Sequence, residues 1–216
     1  MRKLTISSIN DKKIIAIVRG LEREMLLPVC DALTSGGVKV MEITFDQSGR
    51  ISDSDVAENI AMLREHFDSD VSIGAGTVIT SEQVELTHRA GGSFIISPNT
   101  KREVIERTRE LNMVSIPGAF TPSEIIDAYG YGADFVKLFP VTSLGADYVK
   151  AIKAPLSHIP MLAVGGVDLT NVKAYLAAGV SGFGIGTNII NRDMVKNRDF
   201  DGIANLARCY VEAVNV

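Results

Sequence analysis

Short apolar runs rich in Val, Ile and Phe recur along the chain, each ending in Gly, Pro or a polar residue and followed by a longer amphipathic stretch. There are eight: Ile14 to Arg19, Lys39 to Phe45, Val71 to Thr77, Ser93 to Pro98, Val114 to Pro117, Asp134 to Pro140, Met161 to Gly166 and Gly182 to Thr187. The 216 residues spread over eight units leave about 27 each, enough for a strand, a helix of three turns and two short connections. Alternation of this kind predicts a parallel sheet. Eight units without a break in composition predict an α/β chain forming one domain over residues 1–216, a lean single-domain (β/α)8 TIM barrel. An open doubly wound sheet is the alternative, and it often has fewer strands. Helix starts are marked by Thr80-Ser81-Glu82, Thr121-Pro122-Ser123-Glu124 and Asp168-Leu169-Thr170. Gly36-Gly37, Gly91-Gly92, Gly130 and Gly179 stand where left-handed caps end helices. The polar stretch Asp46 to Asp55 reads as a loop after the second strand, on the face where barrel active sites form.

Side chains alternate along a strand, so one set looks into a barrel and the other meets the helices. Lys137 interrupts the apolar run Phe135 to Pro140, and Glu42 interrupts Val40 to Thr44, with Thr44 on its face. Ile17 shares a face with Arg19, and Ala75 with Thr77. The parity therefore predicts an interior holding Lys137, Glu42, Thr44, Arg19 and Thr77 together. A lysine enclosed by apolar walls and other cations loses its proton more readily than one in water, and its amine becomes a nucleophile toward ketones and aldehydes. The protonated imine that results is an electron sink for breaking a neighbouring C–C bond, and a carboxylate such as Glu42 can shuttle the protons. The structural alternative is a buried Lys137–Glu42 ion pair without chemistry.

A second constellation favours anions. Gly165-Gly166 follows the seventh strand and Gly186-Thr187-Asn188 the eighth, where glycine lets backbone N–H groups approach phosphate oxygens. Gly74-Ala75-Gly76-Thr77 opens like a dinucleotide fingerprint but lacks the third glycine. His66, His88 and His158 have no metal-ligand spacing, so neither a metal nor another cofactor is expected.

With 22 Lys+Arg against 26 Asp+Glu and 46% hydrophobic residues, the chain has the apolar content for a substantial core and a formal charge of only -4. That balance, without runs of like charge, argues against nucleic acid or an anionic membrane as partner and for a small molecule. Cys30 and Cys209 read as unpaired thiols. The basic start Met1-Arg2-Lys3 is followed by an apolar stretch, Ile14 to Val18, too short for a signal peptide, and no run approaches the length of a membrane span, so a cytoplasmic protein is expected.

Taken in order, Ile17-Val18-Arg19, Met41-Glu42-Ile43-Thr44, Gly74-Ala75-Gly76-Thr77-Val78, Ile96-Ser97-Pro98, Ile116-Pro117-Gly118, Val136-Lys137-Leu138-Phe139-Pro140, Gly165-Gly166 and Ile185-Gly186 resemble the class I 2-keto-3-deoxy-6-phosphogluconate (KDPG) and 4-hydroxy-2-oxoglutarate (KHG) aldolase family, from Ile14 through Asn188. The resemblance implies cleavage of a 2-keto-4-hydroxy acid to pyruvate and an aldehyde, without metal, by a typically trimeric enzyme. It implies Lys137 as Schiff-base lysine and Glu42 as acid/base. It implies Thr77, Pro98 and Phe139 around pyruvate, Gly165, Gly166, Gly186 and Asn188 facing a phosphate, and Arg19 near the substrate. Two departures stand out. Some members carry an arginine shortly after the Glu-x-Thr segment for the pyruvyl carboxylate, where this chain has Asp46; Thr77 with backbone N–H groups, or Arg50, is the substitute expected here. Thr187-Asn188 stands where glycine and serine are common. Rival readings are a phosphate-binding barrel isomerase or epimerase using Lys137 and Glu42 as acid and base, and a barrel that only binds a sugar-acid phosphate.

Overall fold

The computed structural model describes residues 2–67 and 69–215, so Met1 of the basic start lies outside the described residues. Among these, nine strand segments form one parallel sheet: β1 (Ile14–Val18), β2 (Val40–Thr44), β3 (Ser72–Gly76), β4 (Phe94–Ile96), β5 (Val114–Ile116), β6 (Gly118–Ala119), β7 (Val136–Leu138), β8 (Met161–Val164) and β9 (Gly182–Ile185). The hydrogen-bonded order is β5-β4-β3-β2-β1-β9-β8-β7-β6. Its two ends are one stretch of chain. Pro117, which has no N–H to give to a ladder, interrupts the run; the part before it pairs with β4 and the part after it with β7. The sheet is thus wrapped into a barrel with helices between the strands, and the fifth expected strand runs two residues beyond Pro117, to Ala119.

The helices are α1 (Arg2–Lys12), α2 (Arg23–Ser35), α3 (Asp53–His66), α4 (Ser81–Arg89), α5 (Arg102–Glu110), α6 (Pro122–Gly130), α7 (Gly145–Lys153), α8 (Val172–Ala177), α9 (Arg192–Lys196) and α10 (Phe200–Val214). Thr80 accepts a hydrogen bond from the Gln83 N–H, and Thr121 and Glu124 close a reciprocal capping box, as their sequences predict. The third start is displaced: the Asp168 carboxylate accepts the N–H groups of Thr170 and Asn171, and α8 begins only at Val172. Gly37, Gly91 and Gly179 have positive φ at helix ends, but Gly130 is still helical and Gly132, with φ 104°, makes that turn. The expected loop from Asp46 to Asp55 is shorter than its polarity suggests, because the capping box of Ser52 and Asp55 starts α3 at Asp53. No helix among the described residues is long and apolar enough to cross a membrane.

Two apolar layers follow from strand alternation. Met41, Ile43, Ile73, Ala75, Val136 and Leu138 point outward and pack against the helices. Ile15, Val40, Phe94, Val114, Phe135 and Leu162 point inward and fill the base of the barrel. Helix α1, mostly polar and not foreseen in the sequence, closes that base with Ile9, which is fully buried among the inward residues. Arg2 pairs with Asp134, whose carboxylate also accepts the Ser115 N–H at 3.0 Å and Arg109 at 3.3 Å, and so pins the helix to the strands. Ile9→Ala should cost about 2–5 kcal/mol by leaving a cavity under the barrel. Urea unfolding of the two proteins measures it.

Candidate active site

Lys137 sits in the middle of β7 and Glu42 in the middle of β2, each flanked by outward apolar residues. Their inward direction is imposed by those neighbours, since a shift of one residue would drive both charges into the apolar layer against the helices. Lys137 is 5% exposed and Glu42 1%. Room for two long polar side chains comes from glycine. Gly74 and Gly76 on β3, and Gly182 and Gly184 on β9, lie at inward positions; a Cβ on Gly76 would fall 2.2 Å from Glu42 Oε1, and one on Gly184 2.9 Å from a Val164 methyl. Glycines two apart within a strand are the sequence signal for this space.

The two groups do not form an ion pair: both Glu42 oxygens are buried without a hydrogen-bond partner. Between and beneath them lies a void of about 10 Å³, the size of one water, bounded by Ile17, Ile96, Ile116 and Leu162. Burial pushes the Lys137 amine below the ordinary lysine range; Glu42 opposes this and Arg19 reinforces it. Burial pushes the Glu42 carboxyl up, against the attraction of Lys137 and Arg19. The solvent-side neighbour of the amine is the Phe139 ring, whose centroid lies 4.7 Å from Lys137 Nζ. Burial thus favours the uncharged form of each group, a nucleophile in the case of the amine and an acid in the case of the carboxyl.

Above them opens a cleft of about 1020 Å³ bounded by Arg19, Arg50, Thr77, Pro98, Lys137, Phe139, Gly165, Gly166, Gly186, Thr187 and Asn188, among others. Thr77 reaches it by a route that strand alternation does not predict. Ala75 faces the helices, contrary to the expected parity, and Thr77 turns into the mouth because its backbone is left-handed, with φ 58°. Arg19 Nη2 then donates to Thr77 Oγ1 at 3.1 Å. Thr44, the next residue on the Glu42 face toward the mouth, is buried and is not among the residues that bound the cleft, where it was expected. Asp46 is turned to its own loop: its carboxylate accepts from the Ser48 hydroxyl and from the N–H groups of Ser48, Arg50 and Ile51, which pull it down to about 2. This fold of the loop brings Arg50 to the rim of the cleft.

At the opposite rim, Gly165 and Gly166 have φ of 91° and 77°, and the three carbonyls of the loop are each taken by a side chain. Thr142 donates to Gly165 O, Asn171 to Gly166 O and Asn188 to Val167 O, each at 2.8 Å. The N–H groups of Gly165, Gly166, Val167, Gly186, Thr187 and Asn188 have no acceptor among the described residues. Carbonyls held away and N–H groups left free form a backbone nest of the kind that can accept an anion. The Asn188 amide is spent on fastening one loop to the other, so its own contribution at this rim is its backbone.

The KDPG and KHG aldolase family matches residues 5–206. This chain belongs to that family. It is 33% identical over 202 residues to the 2-dehydro-3-deoxy-6-phosphogalactonate aldolase of Escherichia coli, covering 93% of this chain and 96% of that one. A KDPG aldolase from Legionella pneumophila, solved with pyruvate captured as a covalent carbinolamine, is 29% identical with a TM-score of 0.84, over 94% of this chain and 96% of that one. A chain of a cube-shaped protein cage designed by fusing symmetric oligomeric domains is 32% identical with a TM-score of 0.82, over 94% of this chain and 73% of that one.

Other parts of this family member lie outside the cleft. His66 pairs with Asp31 at 2.8 Å and His158 packs on Tyr129, both on the helical shell. No group of three or more His, Cys, Asp or Glu among the described residues is placed to hold a metal ion. Cleft residues without a signal in the strand pattern are Glu22, Glu24, Arg192, Lys196 and Arg198, which belong to helices or their approaches.

The buried pair has a thermodynamic signature. Between the lowered and the ordinary lysine value the unfolded chain binds more protons at Lys137 than the folded one, so stability rises with pH there. Between the ordinary and the raised carboxyl value the folded chain binds more at Glu42, so stability falls with pH there. Glu42→Met/Lys137→Met should remove both slopes and gain about 1–4 kcal/mol at neutral pH, read from urea unfolding across a pH series.

Proposed function

We propose that this aldolase cleaves a 2-keto-4-hydroxy acid of the KDPG type to pyruvate and an aldehyde through a Schiff base on Lys137. The observation that carries the reading is the inward, desolvated amine close to a buried carboxyl at the floor of a cleft rimmed by arginines and free backbone N–H groups. The neutral amine adds to carbon 2 of the keto acid, and the carbinolamine hydroxyl leaves as water with a proton from Glu42. The resulting iminium takes the electrons of the C3–C4 bond as Glu42, now a carboxylate, accepts the proton of the 4-hydroxyl; the aldehyde departs and an enamine remains. Protonation of that enamine at carbon 3 and addition of water at carbon 2 release pyruvate and return the amine. The void beneath the pair has room for a water to pass protons between them.

At the pyruvyl carboxylate, Thr77, oriented by Arg19, and Arg50 from the Asp46 loop replace the arginine found elsewhere in the family. Pro98 and Phe139 flank the reacting carbons, and the nest of Gly165, Gly166, Gly186, Thr187 and Asn188 meets the far end. The shared mechanism with a pyruvate carbinolamine captured in a relative supports this over an isomerase, in which no covalent adduct forms. The enzyme is a homo-oligomer, a trimer as in the family: Ile126 and Tyr129, exposed one turn apart on α6, offer an apolar surface for a second copy, and one relative served as a symmetric oligomeric domain. It works in the cytoplasm, where the exposed, unpaired Cys209 would stay reduced.

Pyruvate with borohydride should leave a stable adduct on Lys137, detected by peptide mass, and Lys137→Met should show none. The pH at which trapping is half-maximal should lie below the ordinary lysine range, moving up in Arg19→Met and down in Glu42→Gln. Glu42→Gln should also lower kcat for pyruvate release by about 10²–10⁴. A trapping profile centred at an unshifted lysine value would overturn the assignment. Light scattering should give a three-chain mass, reduced in Ile126→Asp.

A further inference from the structure

The cleft is much larger than the pyruvate site, and its outer part is walled by groups that the mechanism leaves unused. They include Glu22, Glu24 and Met25 at the start of α2, and Arg192, Val195 and Lys196, which, with Val195 and Lys196 three and four residues after Arg192, lie along one face of α9. In a chain whose net charge is -4, five cationic side chains, Arg19, Arg50, Arg192, Lys196 and Arg198, gather at this mouth. Three of them have partners. Arg19 is on Thr77, Arg50 on Ser48 and its Asp46 loop, and Arg198 on Glu24 at 3.1 Å. Arg192 and Lys196 have no ion-pair partner among the described residues, although they share a helix face at a spacing where like charges repel. Helix α9 is also tied to the anion nest: Gly186 O accepts the N–H groups of both Ile189 and Ile190, and the Asn191 side chain accepts those of Asp193 and Met194. Three residues separate the last free N–H, at Asn188, from Arg192.

We propose that Arg192 and Lys196 are the specificity-determining residues of the distal subsite, supplying the charge that the neutral backbone nest lacks and selecting a phosphate dianion on the aldehyde fragment over a carboxylate. This rests on the aldolase reading above. The nest gives directed N–H groups and the helix face gives two cations that a monoanion cannot fully use.

The test uses the full chain in three forms: wild type, Arg192→Ala/Lys196→Ala, and Lys173→Ala on the exposed side of α8. Inorganic phosphate binding is measured by calorimetry, and kcat/KM is compared for 2-keto-3-deoxy-6-phosphogluconate and 4-hydroxy-2-oxoglutarate. In the double variant the phosphate Kd should rise about tenfold and the phosphorylated-to-unphosphorylated ratio of kcat/KM should fall about tenfold, whereas Lys173→Ala keeps both. Circular dichroism and borohydride trapping of pyruvate establish that the variant is folded with a working amine. A change smaller than about threefold in either quantity overturns the proposal. If wild type traps no pyruvate, the aldolase reading falls by itself, and the phosphate affinities alone decide the role of the two cations.

Discussion

Two ionisable side chains held inside an apolar barrel, close enough to influence each other's protonation and too far apart to neutralise each other, set the terms for the rest of this structure. Desolvation acts on both in the same sense, toward the uncharged form, and their mutual attraction acts in the opposite sense. A barrel whose interior were filled by branched side chains at every level would exclude them. Here the inward glycines of β3 and β9 make the room, α1 with Ile9 covers the base, and the cleft opens at the C-terminal mouth. The reactive groups are therefore fixed on strands, where rotamer and direction are set by packing on both flanks, while the selective contacts come from loops.

The loops achieve order by a different device. At Gly165–Val167 each carbonyl is captured by a neighbouring side chain, which leaves the N–H groups facing the cleft. At Asp46 the reverse occurs: one carboxylate collects three N–H groups and a hydroxyl, and the loop curls so that Arg50 is delivered to the rim. A residue with the wrong charge to bind an acid thus serves by shaping the segment that carries a residue with the right one. In both loops a side chain is spent on holding the backbone, and what it presents to the cleft is another group, Arg50 in one and free N–H groups in the other.

How far the sequence alone could be read follows from the same physics. Lys137 and Glu42 were visible because a charge within an apolar run is costly and therefore conspicuous, and the eight strands because their punctuation by Gly and Pro is regular. Thr77 was placed in the mouth for the wrong reason, since a left-handed residue resets the alternation and Ala75 belongs to the outer layer. Thr44 obeys the alternation but is buried and does not bound the cleft, which parity does not encode. Gly130 and Gly132 differ only in which of them the chain needs for its turn. Helix α1 has too few apolar positions to announce itself, and Arg192 and Lys196 look like any solvated helix face until the cleft appears beside them.

The separation between the amine and the carboxyl also explains why an apolar setting serves covalent chemistry better than a salt bridge would. A closed Lys137–Glu42 pair would hold the ammonium and remove the nucleophile, and breaking it for each turnover would cost the full interaction of two charges in a poor solvent. With no protein group bonded to either carboxyl oxygen, Glu42 keeps its hydrogen-bonding capacity for what enters from the void or the cleft, and under the proposed mechanism that would be a carbinolamine hydroxyl or a 4-hydroxyl.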